Sequence, residues 1–587
     1  MRKADSTRER RRAAGADAAL LVVALLVACL AATGCFGGKK LPPRIQALLA
    51  TNDPAVLRLG VYGDPLGVNP ALPLEEFGRL VVDLVHAGPL KRGPEGTFQP
   101  DLFASYVPTQ DEQGNLVVEG AWRNDLAWHD GTPFTSRDFE FTLQAMAASD
   151  SGSPYADLAR RVTAVQHFDR GRRTRIVFAG NSTQFLDLLT VGVLPSHLLA
   201  GQRLREAMVP PASFAIPDPD DLAVPASAPS ASATVVPFAL FPVGMGPYRL
   251  VARQRARFVE LEAASGAAAV APFRRIVIRC FPRLEDLVGA FRNGQLDWMH
   301  VPPDIATRLE ELRMPGVTFV RTPNPACLVW GFNTRRPPFD RLPVRQALSA
   351  LINRGRLLGA LPMEGRVLDG PPAVGLATMS SGPQAGTARA AGLPTELLTG
   401  AGLTDTDGDG WREFEGKPFS LTILTNQSNL GRKVVGDLLV EDLKKVGIRA
   451  SVVTTTWSDL VGKHLAPGDF DTFLVGFHVP ADRSWINLWH SAPPVGERLN
   501  FTGFCREDLD RALEAWDRVP FGAPASPPVE DIRALLAEQL PVAWLVQAVD
   551  VVAFQNGLQG VDPRRALLDQ DLLTWSKPPV GAAVPPR

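Results

Sequence analysis

Apolar residues fall into three patterns along the chain. Ala18–Ala32 (AALLVVALLVACLAA) is apolar without interruption. Val56–Tyr62 (VLRLGVY) alternates and runs into Gly63-Asp64-Pro65, which predicts a strand ending in a turn. From Phe77 to Leu90, apolar residues at 77, 80, 81, 84 and 85 share one helix face. Leu116–Trp122 and Thr174–Phe178 read as strands, with a turn between them at Trp128-His129-Asp130-Gly131-Thr132-Pro133-Phe134. Thr135-Ser136-Arg137-Asp138 then has the form of a capping box ahead of a helix with Phe139, Thr142, Leu143 and Met146 inward. Further on, Phe419–Leu424, Gly431–Val446 and Ile448–Thr455 read as strand, helix and strand, Gly447 being the helix stop. Such lengths predict a parallel βαβ crossover, so the class is mixed α/β. Residues 210–242, rich in Pro, Ala and Ser, read as a surface insertion without packed structure.

The uninterrupted run at the start has a different meaning. Its fifteen residues fall short of the ~20 a spanning helix needs, and residues 1–17 before it carry six basic side chains against three acidic ones. A basic segment followed by a short apolar one is the layout of an export signal. Ala32-Thr33-Gly34-Cys35 follows at once and resembles the lipobox of bacterial lipoproteins, in which the Cys is diacylated and becomes the mature N-terminus. Residues 1–34 are therefore expected to be a lipoprotein signal peptide and 35–55 a tether. Ala32 departs from the usual Leu of that pattern, and an uncleaved anchor or an ordinary secretory signal is the competing reading.

Charge and motif content narrow the function by exclusion. Lys and Arg total 61 against 62 Asp and Glu, with no basic block beyond the leader, which argues against nucleic-acid binding. There is no phosphate-binding Gly-rich loop of the G-x-x-x-x-G-K-[ST] kind, no G-x-S-x-G elbow and no HExxH pair among the eight His. No cofactor or catalytic group is therefore expected, and an enzyme is disfavoured. Asp405-Thr406-Asp407-Gly408-Asp409-Gly410 begins like a calcium loop. Its twelfth position is Gly416, where a bidentate carboxylate belongs, so a turn is expected and no metal. Cys280 and Cys327 lie in strand-like runs and could bridge in an oxidising compartment; three buried thiols, Cys505 included, is the simpler account.

A series of segments in one order carries a family resemblance. It comprises Asn69-Pro70, Pro100-Asp101-Leu102-Phe103-Ala104-Ser105, Trp128 to Thr135 with Asp138 and Phe141, and Gly244-Met245-Gly246-Pro247-Tyr248. It continues through Asn293-Gly294-Gln295-Leu296-Asp297, Gly331-Phe332-Asn333-Thr334, Pro338-Phe339-Asp340, Val344 to Leu348, Leu488 to Ser491 and Asn500 to Phe504. Together they resemble the bacterial extracellular solute-binding proteins of family 5, the oligopeptide-, dipeptide- and nickel-binding components of ABC importers. The resemblance implies a two-lobed periplasmic-binding-protein-like fold with hinge strands and a cleft between the lobes. Lobe I would span 56–279 and return with 541–587; lobe II would span 280–540. It implies a peptide-like solute, permease and ATPase partners, a monomer, and a place at the periplasmic or cell-surface side of a membrane. A nickel complex, haem or a sugar in the same fold, or a sensory role, is the alternative. Cleft residues implied are Leu74, Glu75, Met245 and Gly246 from lobe I, and Asn333, Gly476, Phe477, His478, Asp482 and Trp485 from lobe II. The family's peptide binders use an Asp against the ligand ammonium; here Pro480 stands at that place and Asp482 lies two residues later, beside Arg483. Trp330 is expected in the core.

The leader makes one measurable claim. Intact mass of membrane-extracted protein should give a chain that starts at a lipid-modified Cys35, and Cys35→Ser should leave the detergent phase. Phe36, which follows, is not the Asp associated with inner-membrane retention, so either membrane can carry the anchor.

Overall fold

The computed structural model describes residues 41–62, 67–72, 76–93, 97–202, 238, 242–265, 271–301, 309, 314–361, 364–372, 394–427, 429–478, 485–493, 498–518, 527–562 and 572–578. The leader, Cys35 and most of the 210–242 insertion lie outside them. The chain divides into a unit over 1–47, which contributes the start of the helix Pro43–Ala50, and a unit over 48–587. The second unit contains all the described strands. None of the described helices is long and apolar enough to cross a membrane.

The expected strand at β1 (Val56–Tyr62) forms over those residues and is buried up to its last, Tyr62. Helix α1 (Glu76–Val85) stops five residues earlier than the pattern suggested. Gly88 and Pro89 follow, and an added Cβ at Gly88 would lie 2.8 Å from the Leu189 carbonyl oxygen, so the chain here is extended against a neighbouring loop. A separate four-stranded sheet comprises β2 (Phe103–Gln110), β3 (Leu116–Trp122), β4 (Val162–Phe168) and β5 (Arg173–Phe178), in the order β2-β3-β5-β4. Helix α2 (Ser136–Ala147) packs Phe139, Leu143 and Met146 into the core beside this sheet, and its expected capping box of Thr135 and Asp138 is present. The short helix α3 (Gln184–Leu188) follows.

The main sheet is built next to β1. Strands β6 (Tyr248–Gln254), β7 (Phe258–Ala263) and β8 (Arg275–Phe281) extend it on one side, while helix α4 (Leu284–Arg292) leads to β9 (Trp298–Val301) on the other. Strand β10 (Val317–Phe332) is long, β11 (Gly365–Val367) short. Then come β12 (Ser420–Asn426), α5 (Leu430–Lys444) and β13 (Arg449–Thr455), the expected parallel unit, with Gly447 at φ 75° where the helix turns back. Strand β14 (Thr472–His478), helices α6 (Trp485–Trp489) and α7 (Glu507–Arg518), and the long strand β15 (Val542–Gln555) complete the set. The sheet order is β13-β12-β14-β10-β15-β9-β1-β8-β7-β6, with β11 on β15.

Two strands, β10 and β15, belong to both halves of this sheet. Val317–Pro323 pairs with Val549–Gln555 beside β9, and Cys327–Gly331 pairs with Val542–Gln547 beside β14. The register slips between Pro323 and Cys327. One half therefore rests on the apolar core that includes Leu57, Leu59, Ile276 and Trp298; the other rests on cores around Val329, Phe473 and Trp544 and around Ile423, Leu439 and Leu474. This is a two-lobed α/β fold with hinge strands. A lobe boundary at 280 would cut β8, which pairs with β1 residue for residue from Val56↔Arg275 to Tyr62↔Phe281. The first crossing is at the slip in β10, some forty residues later, because α4 and β9 stay with β1.

Lobe I is tied to the chain end by a buried ionic cluster. Asp297 accepts from the Arg58 guanidinium at 2.7 Å and 3.1 Å, from the Arg58 amide at 2.8 Å and from Lys577 Nζ at 2.9 Å. Arg58 also donates to the carbonyls of Leu49 and Gly294, so each charge has several partners. Removing one member of such a cluster strands the others without compensation. Asp297→Ala should lower the unfolding free energy by roughly 3–5 kcal/mol in urea titration.

Candidate ligand-binding site

The strand directions place two sets of strand ends at the hinge. Strand β9 runs antiparallel to β15 from Phe554 towards Val551, and β1 and β8 run parallel with it. Strand β14 runs antiparallel to β10 from Phe332 towards Ala326, and β12 runs parallel with it. The carboxyl ends of both parallel sets thus point at the crossing from opposite lobes. In each lobe the connection also jumps over a central strand, over β1 between β8 and β9 and over β12 between β13 and β14. The crevice outside such a switch point is where open α/β sheets bind ligands.

The crossing itself is polar in an otherwise apolar pair of strands. Gln547, fully buried, donates from Nε2 to the Asn324 carbonyl at 2.7 Å and accepts from Arg366 Nε at 2.8 Å. Asn324 Nδ2 donates to Asp550 at 2.7 Å, with His300 3.9 Å from the same carboxylate, and Arg321 pairs with Glu364 at 2.8 Å. A second set of contacts joins the lobes away from the hinge. Thr183 Oγ1, just before α3, donates to the Asp517 carbonyl at 2.8 Å, and Asn487 Nδ2 on α6 donates to Gln184 Oε1 at 3.2 Å. None of these residues was expected from the sequence. Gln547 and Asp550 inside the run VAWLVQAVDVVAF were the available signal.

On lobe I the turn at Trp128–Phe134 is fastened to Gly244–Gly246. The His129 amide donates to the Gly244 carbonyl at 3.0 Å, and its ring lies 2.9 Å from the Gly246 carbonyl oxygen. Gly246 N donates to Val85 O at 2.8 Å, and a Cβ at Gly244 would sit 1.9 Å from that same oxygen, so only glycine fits there. His86, one residue beyond α1, is buried near His129. Burial pushes the imidazole of His86 down to about 3 and that of His129 down to about 4, with the proximity of His129 adding to the shift at His86.

The expected cleft residues fall into different settings. Leu74, Glu75 and Asp482 lie outside the described residues. Met245 is half-buried against the core of the small sheet, and Gly246 is held by the Val85 carbonyl. Gly476 and Phe477 lie on β14 and His478 ends it; Phe477 meets Trp489 edge-on at 5.8 Å. Asn333 is fully buried: its Nδ2 donates to the carbonyls of Gly468 and Phe470, and its Oδ1 accepts from Arg335. These bonds use the amide completely, so it braces a loop and has nothing left for a ligand. Trp485, 1 % exposed, packs edge-on to Trp516 in the lobe II core, and Trp330 is equally buried.

Two further side-chain groups bear on chemistry. Cys280 and Cys327 are buried thiols that form no disulfide, burial pushing Cys327 up to about 12, whereas Cys505 is exposed and not the third buried thiol the sequence suggested. Asp405, Asp407 and Asp409 form the expected turn, their carboxylates accepting from the amides of Gly408, Gly410, Asp409 and Trp411. Glu413, three residues short of the twelfth position, folds back so that oxygens of all four carboxylates lie within 4.8 Å of one another. Those are the described residues able to hold a cation; Arg449 already pairs with Asp409 at 3.1 Å.

The comparisons agree with this geometry. The family model of the bacterial extracellular solute-binding proteins, family 5 (middle region), matches residues 97–493. The chain belongs to that family. The oligopeptide-binding protein AppA of Bacillus subtilis is 25% identical over 341 residues, 56% of this chain and 61% of AppA. The chain thus aligns with about three fifths of that relative, and with 40% of the putative ABC transporter peptide-binding protein of Brucella ovis, at 28% identity. Two solved structures share the fold. NikZ from Campylobacter jejuni with Ni(L-His) has a TM-score of 0.63 and 20% identity, covering 89% of this chain and 100% of NikZ. AppA with a nonapeptide has a TM-score of 0.62 and 19% identity, covering 89% and 99%.

For this family 5 protein the two neutral imidazoles predict an acid-sensitive lobe I. An unfolded His titrates near 6.5, so the folded state resists a proton that the unfolded chain accepts. The stability they contribute is complete above about pH 6.5 and is lost as pH falls towards 4 and then 3. Within that window each costs up to about 1.4 kcal/mol per pH unit. His129→Gln, which keeps a donor for Gly246, should flatten the melting temperature between pH 6.5 and 4 relative to the native protein.

Proposed function

We propose that this protein is the substrate-binding lipoprotein of an ABC-type importer, capturing a peptide-like solute between its lobes and delivering it to a membrane permease. Two continuous strands cross between lobes whose parallel strand ends converge on the crossing, and this arrangement carries the reading. It allows closure about a hinge with the ligand enclosed, and binding of this kind needs no catalytic group. Lobe I then comprises the strands beside β1 and the small sheet, and lobe II those beside β14, with the change-over at the slip in β10. Extended segments at the strand ends offer main-chain groups to a peptide backbone whatever its side chains. The peptide ligand of AppA supports the class of solute. Its ammonium falls to Asp482, with Glu75 as the fallback. The Ni(L-His) in NikZ supports a second reading, a metal complex in the same cleft.

Calorimetry with a mixed peptide pool, and with the same pool N-acetylated, tests the first reading. Binding should be seen with free peptides and weaken by roughly 2–5 kcal/mol on acetylation or in Asp482→Asn. Indifference to both would end the ammonium pairing. Binding of nickel–histidine or a sugar but of no peptide would replace the solute class and leave the fold untouched.

A further inference from the structure

The seam away from the hinge joins two side-chain amides that satisfy each other only by half. Gln184 on α3 and Asn487 on α6 meet across the lobes, where Asn487 Nδ2 donates to Gln184 Oε1 at 3.2 Å. Two primary amides placed to match would exchange two bonds, since each carries a donor and an acceptor. Only one forms. Gln184 Nε2 and Asn487 Oδ1 are both buried, and neither has a hydrogen-bond partner among the described residues. Turning both amides end for end would exchange the bonded atoms and still leave one donor and one acceptor over. The backbone on either side is held. The Gln184 amide donates to Ser182 Oγ at 3.1 Å, and the next residue, Phe185, stacks on Phe178 at 4.6 Å. Asn487 is flanked on α6 by the buried Ile486 and Trp489, and its carbonyl accepts from the Leu499 amide at 2.8 Å.

The neighbouring contact is of the opposite kind. Thr183 Oγ1 donates to the Asp517 carbonyl at 2.8 Å, a well-formed bond that needs the lobes together. When the lobes part, water reaches all four amide atoms of Gln184 and Asn487; when they meet, two of those atoms lose it without replacement. The bond that forms favours closure and the two atoms left over oppose it, because a buried polar group without a partner costs more than one neutral bond returns.

We propose that Gln184 and Asn487 are a counterweight to closure, a polar pair that keeps the unliganded lobes apart and lets them separate again once the solute is gone. This deepens the reading of a protein that captures its solute by closing, and rests on it. A solute must then supply the free energy that the pair opposes, so the pair lowers affinity for every solute alike.

Replacing both amides with apolar side chains of similar shape, Gln184→Met with Asn487→Leu, removes the unpaired atoms and should favour closure. Gln184→Leu with Asn487→Leu is a second pairing with the same expectation. Small-angle neutron scattering of the full chain in contrast-matched detergent reads the separation of the lobes without any ligand. The double variant should be more compact than the native protein. In calorimetry with tripeptide pools of different composition it should bind each at least about tenfold more tightly, and by the same factor for all, because the effect lies in the closing equilibrium. Each single substitution strands both atoms of the remaining amide. Gln184→Met or Asn487→Leu alone should therefore weaken binding and leave the protein no more compact than the native one. A pair that merely packs would not reverse sign between single and double variants. If the double variant is no more compact than native protein, or a single variant binds as tightly as the double, the assignment is wrong and the peptide reading stands. If the double variant closes but no pool binds to any of the proteins, the assignment holds and the peptide reading fails.

Discussion

A strand that must belong to two lobes has to satisfy its backbone in both and still bend between them. In β10 and β15 the strands pair on either side of the crossing, and the register slips between Pro323 and Cys327 and again between Leu328 and Val329. A broken ladder leaves buried carbonyls and amides without strand partners, at a cost of about 1–3 kcal/mol each when nothing replaces them. Here the replacement comes from side chains: Gln547 Nε2 donates to the Asn324 carbonyl, and Asn324 Oδ1 accepts from the Ala326 amide. Side-chain bonds of this kind tolerate a change of angle that a β ladder does not. The slip and the buried glutamine are thus one device, a place where the pair of strands can flex without exposing its polar groups.

The same economy governs what surrounds the crossing. Strand carboxyl ends carry carbonyl and amide groups that the ladder no longer pairs, and the loops beyond them must approach closely. Glycines at 244 and 476 stand where a Cβ would strike the Val85 carbonyl or the Arg432 guanidinium. On lobe I His129 and its turn bind the carbonyls of Gly244 and Gly246 just ahead of β6; on lobe II Asn426 and Arg432 pair side chain to side chain where β12 ends. The two sides differ in charge state. Burial keeps the imidazoles of His86 and His129 neutral, while the guanidinium of Arg432 stays ionised although half-buried.

Much of this was readable in the sequence, for a physical reason that also marks where reading fails. The strand at 56–62, the capped helix after Thr135 and the βαβ unit closed by Gly447 are set by local periodicity and turn chemistry, and they formed where the pattern put them. The family resemblance drew on such segments in order. The place where the chain changes lobes is not local: β8 and β9 look like strands whichever sheet half they join, and only their pairing with β1 shows which half takes them. Asn333 and Trp485 fell in matching segments, yet their burial depends on partners more than a hundred residues away or on another helix. The count to Gly416 overlooked Glu413, because counting along a loop ignores the strand pairing that turns Glu413 back beside Thr404.

Closure must be reversible if a solute is to be released, and the seam between the lobes is built to that measure. Thr183 with Asp517 and Asn487 with Gln184 are bonds of neutral donors, each contributing about 0.5–1.5 kcal/mol net. Together these two bonds contribute no more than about 3 kcal/mol, comparable with the cost of immobilising the side chains that make them. A seam of buried ion pairs or a large apolar face would have locked the lobes shut. With these bonds among the described residues so nearly balanced, the position of the equilibrium passes to whatever bridges the two sets of strand ends. A ligand moves a two-state equilibrium only by its difference in affinity for the two states, and a solute that touches both lobes gains that difference only when they close. The weakness of these bonds and the polarity of the strand ends therefore fit the proposed function, in which the bound solute, not the protein alone, decides when the lobes meet.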